Sequence, residues 1–93
     1  MTFNDLKFVT REGRKGDLLS GVQALVFFSN GYGASVIKGR GSYGSDKDLY
    51  ELAVVKTEGD SWDLCYDTHI TDDVIGFLTE DGITHILGQI EAL

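Results

Sequence analysis

The sequence predicts an α+β domain, with antiparallel strands first and helices last. Three observations predict it. Asn30-Gly31 separates two strand-like runs, Val22–Ser29 and Tyr32–Lys38. A second pair of runs, Tyr50–Lys56 and Trp62–Asp67, brackets Glu58-Gly59-Asp60. Apolar residues at helical spacing then run from Ile83 to Leu93. Together these imply a sheet of about four to five strands built from two hairpins, with C-terminal helices packed on one face.

The first expected element is a strand around Leu6 to Thr10, although Thr2-Phe-Asn-Asp-Leu6 fits the start of a short helix equally well. Asn-Gly is the preferred two-residue type I′ turn, because both positions need positive φ. Such a turn sets Phe28 opposite Gly33, Phe27 opposite Ala34 and Leu25 opposite Val36. One face then carries Leu25, Phe27, Ala34 and Val36, and the other Val22, Ala24, Val26, Phe28 and Ile37. Neither face reads as solvated, since a half-buried strand alternates apolar and polar residues. Something is expected to cover both, a second copy or a partner on the side the helices leave open.

In the second hairpin a Gly59-Asp60 turn sets Lys56 opposite Asp63 as an ion pair. Trp62, Leu64 and Tyr66 then share a face with Val55 and Ala53, and Asp63, Cys65 and Asp67 take the other. Gly39 to Asp48 reads as a polar, glycine-rich connection. Two helices are expected at the end. Thr71 followed by Asp72 and Asp73 resembles an N-cap with an acidic first turn, leading to Val74, Phe77 and Leu78. Thr79 with Glu80 and Asp81 repeats the signal ahead of Ile83, Ile86, Leu87, Ile90 and Leu93.

The chain of 93 residues is expected to form one domain, 1–93, and its 42% apolar share with five Phe, four Tyr and one Trp supplies one core. A single cysteine, Cys65, forms no intramolecular disulfide and suits a reducing cytoplasm. The longest apolar run, Ala24 to Phe28, is too short to cross a bilayer. The net charge of −7 is unevenly spread. Residues 1–44 carry six Lys or Arg against three acids, and residues 45–93 two against twelve. The acidic half argues against membranes and nonspecific DNA binding.

Gly39-Arg-Gly-Ser-Tyr-Gly44 matches the glycine pattern of dinucleotide-binding turns, but that chemistry needs a helix directly afterward, and a strand follows. Lys38, Arg40 and Tyr43 in the same region have the residue types for touching phosphate and stacking on a base. Cys65-x-x-x-His69, with His85, lacks the four ligands of structural zinc and the oxyanion pocket of a catalytic thiol. With no complete motif for catalysis, no metal or cofactor is expected and the chain reads as non-enzymatic. Among the acids, Asp72, Asp73, Glu80 and Asp81 sit where helix N-termini favour negative charge. Glu58, Asp60, Asp63 and Asp67 have no such role, and they are the expected partner-binding residues.

The segments Asn30-Gly-Tyr-Gly-Ala-Ser-Val36, Leu49-Tyr-Glu-Leu-Ala-Val-Val55 and Cys65-Tyr-Asp-Thr-His-Ile-Thr-Asp-Asp73 resemble parts of small uncharacterised accessory proteins of tailed phages and prophages. The resemblance spans about two-thirds of the chain and brings no functional residue with it. It implies a phage accessory gene, and products of this size and charge include anti-CRISPR and other inhibitors of host machinery. The expected function is inhibition of a host protein or ribonucleoprotein through the acidic surface, in the host cytoplasm. A self-associating assembly protein and a small RNA-contacting module are the alternatives.

Overall fold

The Asn-Gly hairpin pairs β2 (Gly21–Phe27) with β3 (Tyr32–Gly39) through a three-residue loop. The computed structural model describes residues 1–11, 21–39, 49–71 and 73–93. Phe28 N–H donates to Tyr32 O at 2.7 Å, and Gly31 N–H closes the turn on Phe28 O at 3.2 Å. Gly31, at φ 88°, takes the left-handed position that follows a type I turn in hairpins of this length.

The register therefore moves by one residue from the expected one. Phe27 lies opposite Gly33, Val26 opposite Ala34 and Ala24 opposite Val36, correcting the pairings Phe28 with Gly33, Phe27 with Ala34 and Leu25 with Val36. The cause lies in a contact far along the chain. Asn30 stays out of the left-handed region, and its Nδ2 donates to the carbonyl oxygens of Ile90 (2.9 Å), Glu91 (3.3 Å) and Leu93 (3.4 Å). Its Oδ1 accepts Tyr32 N–H at 3.0 Å. The loop residue thus caps the C-terminal end of the helix, where Ile90 O also accepts Leu93 N–H at 3.1 Å.

A short strand, β1 (Val9–Arg11), pairs with β2, and β4 (Tyr50–Glu58) pairs with β3, all antiparallel. Gly59-Asp60 forms the second turn as expected, leading to β5 (Ser61–Leu64) with Val55 opposite Leu64 and Lys56 opposite Asp63. The expected Lys56–Asp63 ion pair is not made. The Lys56 ammonium lies 5.6 Å from the centroid of the Tyr32 ring, and Asp63 Oδ1 accepts the N–H of Leu64 at 2.8 Å.

The second correction concerns Thr71–Leu78. Instead of a helix, Ile75–Leu78 forms strand β6, paired with β4 through Tyr50 with Leu78 and Leu52 with Ile75. β5 and β6 thus occupy successive halves of one edge of β4, and the chain leaves the sheet between them. The segment is too short for a stable isolated helix, and β-branched Ile75 beside Gly76 suits an edge strand better. Thr71 closes a local turn, its Oγ1 accepting Asp73 N–H at 3.1 Å and donating to Asp73 O at 2.7 Å. A capping threonine and a turn threonine look alike in sequence.

The helix expected after Thr79 forms as α1 (Glu80–Glu91), with Thr79 Oγ1 accepting Gly82 N–H at 3.1 Å. Its stripe of Ile83, Leu87 and Ile90 is fully buried against Ala34, Val36, Leu52 and Val54 of β3 and β4. At the start of the chain the helical alternative forms, as a 3₁₀ turn at Phe3–Asp5, and the strand expected around Leu6 to Thr10 begins only at Val9, as β1. Phe3 N–H donates to Thr84 Oγ1 at 2.9 Å, and the Phe3, Phe8 and Tyr50 rings cluster with centroids 5.1 to 5.7 Å apart. Helix and turn together cover one face of the sheet. Among the described residues no helix is long and apolar enough to cross a membrane.

Candidate functional site

Two surfaces stand out, and the alternation of side chains along β4 and β5 keeps them apart. Lys56 and Glu58 of β4, with Asp63, point to the helix side of the sheet, beyond the reach of α1. Val55, Trp62 and Leu64 point to the other side.

On the helix side, Glu58, Asp63 and Asp67 surround a shallow depression of about 260 Å³ with Lys56 among them. Asp60 lies beside it in the Gly59-Asp60 turn. All four acids are exposed, and the depression brings three of them together, Glu58, Asp63 and Asp67. Cys65 lies at the back of the depression, only 7% exposed, and its Sγ donates to Asp67 Oδ1 at 2.8 Å. Burial, and then this bond, push the thiol up from its ordinary value. The same bond is the main reason that the Asp67 carboxyl is held below its ordinary range. A raised thiol is the reverse of an activated nucleophile. His69 and His85 are exposed, and no three metal-ligating side chains gather among the described residues.

The Cys65–Asp67 pair yields a prediction with two arms. Because the folded thiol keeps its proton where the unfolded one loses it, its contribution is present below the ordinary thiol range. That contribution falls as pH rises through the raised value. The Asp67 contribution works in the opposite sense, being present above the ordinary carboxylate range and lost as pH falls through the lowered value. Alkylation of Cys65 by iodoacetamide in native buffer is expected to run at least about tenfold slower than that of a free thiol. A rate equal to that of the unfolded chain would show that the thiol is open.

On the opposite face, the outer strands carry large side chains and the inner strands small ones. Leu25 and Phe27 of β2 and Trp62 and Leu64 of β5 are between 39% and 46% exposed. Gly33, Ser35 and Ala53 lie buried between them on β3 and β4. The Phe27 and Trp62 rings approach to 6.3 Å across Gly33 and Val55, forming a ridge that leaves Val55 fully buried. Next to the ridge lies a hollow of about 450 Å³ whose floor includes Gln23, Ser35, Glu51 and Ala53. Gln23 Nε2 donates to Ser35 Oγ at 2.9 Å, and Glu51 is 9% exposed. The expected pairing of Trp62 and Leu64 with the Val55 and Ala53 side holds. With the corrected register, Ala34 and Val36 join the core, and Gln23 and Ser35 join the open face.

The third group of predicted residues is only partly placed. Lys38 lies over the Tyr50 ring at 5.3 Å from its centroid, whereas Arg40 and Tyr43 fall outside the described residues, as does the rest of the glycine pattern after Gly39. Sequence reasoning missed Phe77, which is 57% exposed at φ 58° in β6, a conformation uncommon for a bulky residue. No protein-family model matches the chain, and no curated protein or solved structure matches it.

Proposed function

We propose that this chain is a non-enzymatic binding protein that engages a basic site on a protein or ribonucleoprotein through Glu58, Asp60, Asp63 and Asp67. The observation that supports the reading is that Glu58, Asp63 and Asp67 line one depression with Lys56, and that Asp60 is exposed in the adjoining turn. A site built for nucleic acid attracts a placed array of carboxylates, and complementary charge speeds encounter. The resemblance to phage accessory proteins supplies the setting, in which the partner is a host component and binding inhibits it. The RNA-contacting alternative has less support, since the half-buried Lys38 lies over the Tyr50 ring.

The test begins with capture of the partner from host lysate and continues with association kinetics. Asp60→Lys is the cleanest variant, because Asp60 sits in a turn and has no partner to lose among the described residues. Association is expected to slow by about an order of magnitude at low salt, and the wild-type rate to fall as salt rises. Circular dichroism and melting should match wild type. Lys38→Ala should change the rate much less. An Asp60→Lys rate equal to wild type at both low and high salt would remove the acidic edge from the mechanism.

A further inference from the structure

We infer that the Asp63 carboxylate closes the free edge of β5, by holding the outward N–H of Leu64 so that another strand cannot pair there. This goes beyond the acidic residues as a binding surface, and it stands whether or not Asp63 also meets a partner. β5 is the last strand on its side of the sheet, and among the described residues only its inner side is paired, to β4. In an antiparallel ladder the N–H and C=O groups of successive residues point alternately to the two sides. Cys65 N–H donates inward to Val54 O at 2.8 Å, so the N–H groups of Leu64 and Trp62 point outward. The Leu64 N–H meets Asp63 Oδ1 at 2.8 Å, in the place that a partner strand's carbonyl would take.

The strand has the character that calls for such a device. All four of its residues are exposed, and Trp62 and Leu64 are large and apolar, so an open ladder here would offer another chain both backbone groups and apolar contact. Sheets ordinarily blunt such an edge with proline, lysine, a bulge or a covering segment. The chain has no proline, β5 has no lysine, and its register with β4 runs unbroken from Ser61 to Leu64. The neighbouring β6 is irregular, since its pairing with β4 shifts between Tyr50 and Leu52 and Phe77 stands at φ 58°. In β5 the one charged side chain is Asp63.

The same bond accounts for the ion pair that Asp63 does not make. Lys56 stands opposite Asp63 in the ladder, yet its ammonium lies 5.6 Å from the centroid of the Tyr32 ring, and the Asp63 carboxylate turns to the edge of its own strand. A carboxylate suits this position because it accepts the Leu64 N–H and brings no donor of its own.

Amide hydrogen exchange of the whole chain, read residue by residue by NMR, tests the inference. In the native protein the Leu64 amide is expected to exchange at least about tenfold slower than that of Trp62, each relative to its unfolded rate, although both face outward. Asp63→Ala should bring Leu64 to the rate of Trp62, and Asp63→Asn, which keeps an acceptor oxygen, should keep most of the protection. In sedimentation up to about 100 μM, Asp63→Ala should associate at least about tenfold more tightly than wild type, and Asp63→Asn should stay close to wild type. If Asp63→Ala proves unfolded, the native rates and the Asp63→Asn variant decide the matter. Leu64 and Trp62 amides that exchange equally in the native protein overturn the inference, as does a folded Asp63→Ala variant that associates no more than wild type.

Discussion

Gly33→Ala is expected to destabilise the protein by about 3 kcal/mol or more, the largest loss foreseen for so small a change. A Cβ at Gly33 would collide with the carbonyl oxygen of Val26 and stand 3.1 Å from both Cα and Cδ1 of Phe27. Two of those atoms are backbone, so relief requires the β2–β3 ladder to shift. The Phe27 ring would also be pushed off its seat, removing the ridge along with the stability. Gly88→Ala is the matched control, because nothing lies within 4 Å of a Cβ there and the residue is exposed in α1. That substitution should add about 0.5–1 kcal/mol through helix propensity. Urea titration of both variants measures the contrast, and equal stabilities would mean that Phe27 does not lie over Gly33.

Asn30→Asp is expected to cost about 2–3 kcal/mol at neutral pH. The carboxylate keeps the bond from Tyr32 N–H but can no longer donate to Ile90, Glu91 and Leu93. It also sets a negative charge against the negative end of the α1 dipole. Lowering the pH through the new carboxyl's titration should recover part of the loss, because a protonated carboxyl regains a donor. Asn30→Ala should lose the donors without adding the charge, and its stability should fall between those of the aspartate variant and wild type. An Asn30→Asp variant as stable as wild type would contradict the capping role.

The parts of the fold legible in the sequence were those decided by local chemistry. Thr79, Glu80 and Asp81 mark the start of α1 because a capping hydroxyl and acidic first turn act within one turn of helix. The Gly59-Asp60 turn and the Lys56–Asp63 register follow from loop length alone. What could not be read was decided at a distance. Asn30 selects the longer loop by bonding to residues 60 positions away, and that one-residue change moves Ala34 and Val36 into the core. Thr71–Leu78 carries helix-like signals, yet the open half of the β4 edge recruits Ile75–Leu78 as a strand. Glu58, Asp60, Asp63 and Asp67 could be singled out because charge without a capping role shows in sequence, although Asp73, read there as part of a helix start, lies in a turn. The ridge and hollow were not, since they depend on the true register and on Gly33 beneath Phe27.

One face of the sheet is closed by α1, and the other leaves Leu25, Phe27, Trp62 and Leu64 partly exposed. Trp62 is the chain's single tryptophan and sits on the ridge, so its fluorescence reports that face alone. Native emission should lie to the blue of a fully solvated indole, and Gly33→Ala should move it to the red, because the added Cβ displaces Phe27 from its place beside Trp62. Native emission at the wavelength of a fully solvated indole would contradict the placing of Phe27 against Trp62.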